Sequence, residues 1–241
     1  MFSAKQDAAI CLHEKGEAIM LKPALPITLT EACLEDAIAD AVAAGEDIAA
    51  GHFFGEALPA LPGEICEFTG CHFEKCCFSP CQASRLTFVD CVFDRCDLSS
   101  MDFQKATFQR VTFLHCRMTG ASFPQATLMN VTFDQCQMDY CNFTEAKAQH
   151  AAFFCCALKE SGFVDFRWRS VTFDRCNLQS SEWLHTPMKG LNLVSNQIEG
   201  IAVELPALRG LTVTADQALV LSGLLGLKVV SSPDTISSET T

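Results

Sequence analysis

A single spacing dominates this chain. From Phe68 to Val213 every fifth residue is apolar, without exception over 30 positions. Because 49% of all residues are apolar, chance would produce such a run in one of five registers with a probability on the order of 10⁻⁹. A period of five matches neither the α-helix nor an ordinary strand. We therefore expect the chain to wind in regular five-residue steps.

Each five-residue unit has the same internal pattern. The residue two places before each large apolar centre is mostly small, and the residue between them is usually polar. This alternation points two side chains inward and one outward, and leaves two residues to turn the chain. The small residues include Cys66, Cys71, Cys76, Cys81, Ala106, Ala121, Ala126, Val131, Cys136, Cys141 and Ala146.

The sequence also has a second, longer period of 20 residues. Like residues recur every four units, so one coil contains four units and has a roughly square cross-section. Stacking at the sheet spacing of about 4.8 Å gives about 7.5 coils and a rod of roughly 36 Å. The clearest columns are Cys76, Cys96, Cys116, Cys136, Cys156 and Cys176, and Phe73, Phe93, Phe113, Phe133, Phe153 and Phe173.

These units resemble the pentapeptide repeat proteins, whose consensus is Ala-(Asp/Asn)-Leu-x-x with Phe common at the centre. The segments 91–98 (Cys-Val-Phe-Asp-Arg-Cys-Asp-Leu) and 141–146 (Cys-Asn-Phe-Thr-Glu-Ala) fit that pattern. The resemblance covers residues 66–213. It implies an all-β solenoid, a right-handed quadrilateral β-helix in which the small residue and the centre are both buried. This chain favours Cys where the family usually has Ala.

The N-terminal residues 1–65 are not repetitive, and we interpret them as an acidic cap or docking segment. Residues 8–21 are predicted to form a hairpin around a Lys-Gly pair. Thr30 is predicted to cap a helix over about residues 31–44. Gly45 would end that helix.

The C-terminal segment 214–230 is predicted to cap the other end of the rod. Thr214 and Gln217 form a capping-box pattern before an apolar helix that runs to Leu225. Gly226 can take the left-handed conformation that ends the helix. Residues 227–230 could add an edge strand, and the tail 231–241 has the composition of a disordered segment.

Charge is unevenly distributed along the chain. The net charge is −12, and residues 1–65 alone hold 3 basic and 11 acidic residues, a net −8. The repeats, residues 66–215, hold 13 and 15, a net −2. A net acidic chain is a poor general binder of nucleic acid. The absence of an 18-residue apolar run or a signal peptide predicts a soluble, unsecreted protein.

One face of the rod carries acids beside bases. Glu74, Asp94, Asp134 and Asp174 form a column after the Phe centres, and Lys75, Arg95 and Arg175 form the column beside it. Such neighbours offset one another, each exposed pair contributing about 0.2–1 kcal/mol. The pattern is compatible with a solubilising ladder or with a charged docking face.

No residue is assigned a catalytic, cofactor-binding or metal-binding role. The N-terminal cysteines are separated by four residues rather than two, so zinc-knuckle spacing is missing, and their period explains them as interior packing. Cys77 and Cys155 lie off the small-residue position and are the candidates for exposed, reactive thiols. The thiol columns favour a reducing compartment, and hence the cytoplasm. The centres Trp168 and Trp183 are predicted to be core residues.

The leading hypothesis is a non-enzymatic binding or scaffolding protein with an unidentified protein partner. The alternative comes from the resemblance: family members protect DNA gyrase from quinolones by imitating duplex DNA, so DNA gyrase or topoisomerase IV would be the partner. The nearly neutral repeats count against that alternative. The resemblance also implies a homodimer through the C-terminal end, here Leu219 to Leu225. We expect no membrane contact and no direct nucleic-acid binding.

Overall fold

The computed structural model describes residues 20–57, 67–78, 85–227 and 229 of the chain. Its body is a stack of parallel coils in which each strand pairs with the strand 20 residues later. Phe113 is in register with Phe133, and Phe133 with Phe153. Single bridges such as Asn142 with Gly162 continue the pairing on the other sides of the coil. The predicted β-solenoid with a 20-residue period is confirmed.

The strands grow longer along the rod. Through β7 they are two to four residues long, whereas β8 to β11 each span eight residues and turn one corner of the coil. The elements are β1 Thr30–Glu31, α1 Leu34–Ala44, β2 Ile48–Ala49, β3 Gly51–Phe54, β4 Glu67–Thr69, β5 His72–Glu74, β6 Thr87–Val89, β7 Val92–Asp94, β8 Thr107–Leu114, β9 Thr127–Asp134, β10 Lys147–Phe154, β11 Arg167–Asp174 and α2 Ala215–Ser222.

Nearly every described corner of the coil uses a left-handed residue, with Ser195 and Leu205 as exceptions. All described non-glycine residues with positive φ have numbers divisible by five, for example Arg95 (54°), Tyr140 (61°) and His185 (55°). This conformation costs a non-glycine residue roughly 1–2 kcal/mol. The repeat therefore stores backbone strain at these corners, which the stacking of coils must offset.

The core consists of stacked aromatic columns. Phe133 lies with its ring centroid 4.9 Å from that of Phe113 and 4.8 Å from that of Phe153, with nearly parallel planes. Rings of neighbouring faces meet edge to face, as Phe143 and Phe153 do at 86°. Trp183 is fully buried, as predicted.

Trp168 departs from the prediction of a core residue, because it is only half-buried. Its indole Nε1 donates a hydrogen bond to the Pro187 carbonyl, at 3.0 Å, so the ring is held at the rod's surface.

The cysteine column has a structural role beyond filling space. Each thiol of the column from Cys76 to Cys176 donates to the carbonyl of a Phe centre in the preceding coil, as in Cys116 to Phe93 (3.4 Å) and Cys136 to Phe113 (3.5 Å). An alanine would leave that carbonyl without this donor. Asn196 continues the column, and its side-chain amide donates to Phe173 at 2.9 Å.

The N-terminal helix begins later than predicted. α1 starts at Leu34 with Cys33 as its N-cap. Thr30 does not cap it, because Thr30 and Glu31 form strand β1, which pairs with β3. The Glu56 carboxylate accepts a hydrogen bond from the Leu34 amide instead, at 2.5 Å. The predicted end of the helix at Gly45 is confirmed, because Gly45 is its C-cap residue and takes the left-handed conformation with φ 67°.

Coil pairing also starts upstream of the predicted boundary at residue 66. β2 pairs with β4 and β3 with β5, which places Ile48 and Phe53 on the same columns as Phe68 and Phe73. Leu34 and Ile38 of α1 belong to the same buried cluster. The helix therefore packs against the first coil. The predicted hairpin lies almost entirely outside the described residues.

Residues 20–26 run along one corner of the rod. The Leu21 amide donates to Asn130 Oδ1 at 3.1 Å and the Ala24 amide to Asp90 Oδ1 at 2.9 Å. Asn130 and Asp90 lie two coils apart, and the three residues from Leu21 to Ala24 cover that distance when the chain is extended. This segment therefore crosses the coils nearly parallel to the rod axis.

The C-terminal end is capped by α2. Thr214 and Gln217 form the predicted capping box, and the Gln217 side chain also donates to the carbonyls of Leu193 and Asn196 at 2.8 and 2.7 Å. A 3₁₀ turn follows and ends at Gly226, with φ 68°. Leu227, within the predicted edge strand, is not in a strand, and the tail 231–241 lies outside the described residues.

Candidate interaction surfaces

The acid–base columns form ion pairs between neighbours, as expected. Lys75 contacts Glu74 at 3.3 Å, and Arg95 contacts Asp94 at 2.6 Å. Arg175 pairs in the same way with Asp174. The charges on this face are therefore largely compensated locally, and each exposed pair contributes at most about 1 kcal/mol.

Two further pairs join successive coils. Arg110 makes a two-pronged contact with the Asp90 carboxylate, with both N–O distances at 2.6 Å. The guanidinium lowers the pKa of Asp90. In the same way Arg117 lowers the pKa of Asp97 to about 2. These two ion pairs connect neighbouring coils, and in each pair the charges of the acid and the base neutralise one another.

Histidines at the N-terminal end are packed rather than freely solvated. The rings of His52 and His72 stack with centroids 5.1 Å apart. Burial and the neighbouring His52 lower the pKa of His72. His52 Nε2 lies 3.7 Å from a Glu74 oxygen. His150 is half-buried, whereas His115 is exposed.

The thiols divide into interior and surface groups. Burial raises the pKa of the Cys91, Cys136 and Cys141 thiols, which keeps them protonated. Cys77 and Cys155, proposed as exposed thiols, are half-buried. Within the described ranges no group of three or more His, Cys, Asp or Glu side chains is arranged to hold a metal ion.

The C-terminal end presents an apolar surface. Only Gln217 and Leu221 of α2 are buried, and the other large apolar side chains around the helix face outward. The described part of the chain contains no helix long and apolar enough to cross a membrane. The exposed side chains are Leu219 (53%), Val220 (40%), Leu224 (38%), Leu225 (58%), Leu227 (58%) and Val229 (55%).

Two open depressions lie on the described surface. One, of about 350 Å³, is lined by Cys155, Arg175 and Ser195 among others. The second, of about 310 Å³, lies between Met129 and Trp168. Both are surface hollows above a filled interior, not chambers within the rod.

Five-residue units, left-handed corners and stacked Phe centres define a parallel β-solenoid built from short repeats. Two family models match the chain: the pentapeptide repeat region at residues 106–183, and pentapeptide repeats, in eight copies, at residues 84–125. Residues 84–183 of the chain therefore match the pentapeptide repeat families.

Solved structures with the same kind of repeat were also found. A trypsin-treated variant of QnrB1, described as a plasmid-mediated fluoroquinolone resistance protein, is 24% identical, with 76% of this chain and 99% of that chain covered and a TM-score of 0.35. HetL from the cyanobacterium Nostoc, involved in heterocyst differentiation regulation, is 12% identical, with 73% and 90% covered and a TM-score of 0.31. No curated protein sequence matches the chain significantly.

Proposed function

We propose that this pentapeptide repeat protein is a non-enzymatic binding protein whose outer surface engages a protein partner. The observation that carries the proposal is the filled interior: the centres Phe73, Phe113 and Phe163 are fully buried, and each stacks on the Phe centre of a neighbouring coil, with ring centroids 4.7, 4.8 and 5.1 Å apart. Substrate sites are usually concave and enclose most of their ligand. The rod instead offers long, rigid outer faces, which suit recognition of another macromolecule.

The experiment that tests this proposal uses the full chain as bait. A partner recovered from the source cell should re-form a stable complex when both proteins are purified and mixed at equal concentration. The complex should elute as one species in size-exclusion chromatography. Turnover of a small molecule by the purified protein, abolished by a point substitution, would contradict the proposal.

We further propose that two copies associate through their C-terminal ends. Exposed apolar side chains are normal when scattered, but a contiguous group marks an interaction surface. The group around α2 includes Leu219 and Leu225, both more than half exposed. A symmetric pair would bury this surface against its own copy.

Sedimentation equilibrium tests the dimer. We expect the wild-type protein to be a dimer, and Leu225→Asp to weaken the association by at least about tenfold, since a charge would enter the apolar contact. Ile27→Asp is the matched control, because Ile27 is also exposed but lies far along the chain from α2. A wild-type monomer at micromolar concentration would contradict the dimer.

The alternative, a DNA-mimicking regulator of DNA gyrase or topoisomerase IV, is less well supported by charge. A mimic requires acidic faces along the rod, but the repeats hold almost as many bases as acids, and several of their acids, such as Asp90 and Asp97, are paired with arginines. A supercoiling assay with DNA gyrase and a quinolone decides between the two. Restored supercoiling on addition of this protein would favour the alternative.

We also propose a reducing compartment such as the cytoplasm. The support is the hydrogen-bonding role of the thiols: Cys96, Cys116 and Cys136 each donate to a carbonyl of the coil before. Oxidation would remove the donor and enlarge the side chain. Free thiols of the protein counted in intact cells by rapid alkylation test this placement.

A further inference from the structure

One face of the last coils carries only positive charge. The segments 146–149, 166–169, 186–189 and 206–209 occupy the same face of successive coils, and none of them contains Asp or Glu. Their outward side chains include five exposed cations. We call this surface the basic face; its cations are Lys147, Arg167, Arg169, Lys189 and Arg209.

The cations of the basic face lie next to one another and are not paired with acids of the described chain. Lys147 and Arg167 are direct neighbours in the pairing of β10 with β11, and like charges placed opposite each other destabilise a sheet. Elsewhere on the rod, arginines such as Arg110 and Arg117 sit on aspartates of the adjacent coil. Within the described residues no cation of the basic face has an ion pair.

The basic face also has an apolar floor. The depression of about 310 Å³ is lined by Met129 and Trp168, with Lys147, Arg167 and Arg169 around it. The Trp168 indole is half-buried and held by its bond to the Pro187 carbonyl, so it is a rigid platform. Tryptophan and arginine are the residue types that contribute most at protein–protein contacts.

We propose that the basic face binds an acidic segment of a partner protein, with one apolar side chain of that segment seated between Met129 and Trp168. This rests on the proposed function, and it names the chemistry of the partner. The four segments span roughly 14 Å, the length of about four extended residues. Such a segment would place carboxylates against Arg167 and Arg169 while its apolar side chain covers the floor.

The charge of the whole chain favours a protein segment over nucleic acid. The net charge is −12, and the acids of α1, such as Glu35, Asp36 and Asp40, are exposed and form no ion pair with another described residue. A long polyanion would be repelled by this charge, whereas a short acidic segment interacts mainly with the nearby cations, because salt screens charges beyond about 10 Å.

Fluorescence anisotropy of a labelled peptide tests the proposal. The probe is a short peptide in which pairs of glutamates alternate with leucine, and the comparison probes are its glutamine counterpart and a single-stranded oligonucleotide of similar charge. The variant is Arg167→Glu/Arg169→Glu. The matched control is Arg85→Glu/Lys105→Glu, which changes the net charge equally at two exposed cations outside the basic face.

We expect wild-type protein to bind the acidic peptide with an affinity that falls as salt rises. Arg167→Glu/Arg169→Glu should weaken it at least about tenfold, and the control less than about twofold. The same variant should unfold at a temperature no lower than wild type, because the introduced carboxylate beside Lys147 would replace a repulsive pair by an attractive one. A variant that binds the peptide more weakly but melts no earlier than wild type has lost the binding surface, because partial unfolding would also lower its melting temperature.

Three results would overturn the proposal: equal binding of the glutamine peptide, unchanged binding by the variant, or tighter binding of the oligonucleotide than of the peptide. If a partner protein is recovered but binds the variant normally, the basic face is not its site and the proposed function stands. If no partner protein forms a complex at all, the proposed function itself fails.

Discussion

Phe153 and Phe154 are adjacent in β10, and the five-residue register assigns them opposite roles. Phe153 is fully buried between Phe133 and Phe173, with ring centroids at 4.8 and 4.7 Å. Phe154 points outward and is half-buried. The same substitution at each position therefore tests the register with an internal control.

The magnitudes differ widely. Replacing a fully buried Phe by Ala lowers the free energy of unfolding by about 3–5 kcal/mol, and each of the two lost stacked ring pairs adds about 0.5 kcal/mol. We expect Phe153→Ala to lower the free energy of unfolding by about 4–6 kcal/mol. Phe154→Ala should lower it by at most about 1 kcal/mol, since its ring already contacts solvent.

Urea unfolding followed by circular dichroism and tryptophan fluorescence measures this difference. With a slope of about 3 kcal/mol/M, Phe153→Ala should move the midpoint down by about 1.5–2 M. Because coils contact only their neighbours, the two signals must coincide before a single free energy is derived. A loss for Phe154→Ala as large as for Phe153→Ala would refute the assigned register.

Three further outcomes follow from particular contacts. Cys116→Ala should lower the free energy of unfolding by about 1–3 kcal/mol, because the Phe93 carbonyl loses the thiol donor. Cys116→Ser should lower it less, since the Ser161 hydroxyl makes the equivalent bond to the Met138 carbonyl at 2.9 Å. Thermal melts of both variants check this order. Gln217→Ala should lower the free energy of unfolding by about 1–3 kcal/mol, because the buried Asn196 carbonyl loses its side-chain donor and the Leu193 carbonyl keeps only the Asn196 amide. Gln125→Ala, which removes one exposed bond, should have little effect on the same melt. The Arg117 guanidinium lowers the pKa of Asp97 from 3.8 to about 2, so the stability that this pair contributes is present above about pH 4 and lost as the pH falls toward 2. Arg117→Gln should therefore flatten the pH dependence of the urea midpoint between pH 4 and 2. An unchanged pH dependence would contradict the pairing.

The repeat itself was predictable because it depends on a local pattern. One apolar residue in five, with a small residue two places earlier, is visible without knowing any long-range contact. The coil upstream of residue 66 carried the same signal at Ile48 and Phe53, but Gly63 interrupts the count. The basic face was also readable, because Arg169, Lys189 and Arg209 recur at steps of 20.

Other features depend on contacts between distant parts of the chain. Thr30 has the local pattern of a helix cap, but its amide donates to the Ala50 carbonyl at 2.8 Å and so belongs to a strand. The path of residues 20–26 is set by Asn130 and Asp90, far along the sequence. Trp168 follows the register of a core residue, and only its bond to Pro187 explains its half-buried position. Local propensity cannot anticipate such tertiary pairings.

The central claim is that the rod is a stack of interchangeable coils of 20 residues. Deleting residues 141–160 removes one whole coil and leaves every column aligned, so that β9 can pair with β11 and Phe133 can stack on Phe173. Deleting residues 141–155 removes three quarters of a coil and shifts every later column to another face. Circular dichroism and thermal melting of the two deletion variants compare them directly. The account predicts a cooperatively folded protein for the first deletion and loss of folding for the second, and equal behaviour of the two would contradict it.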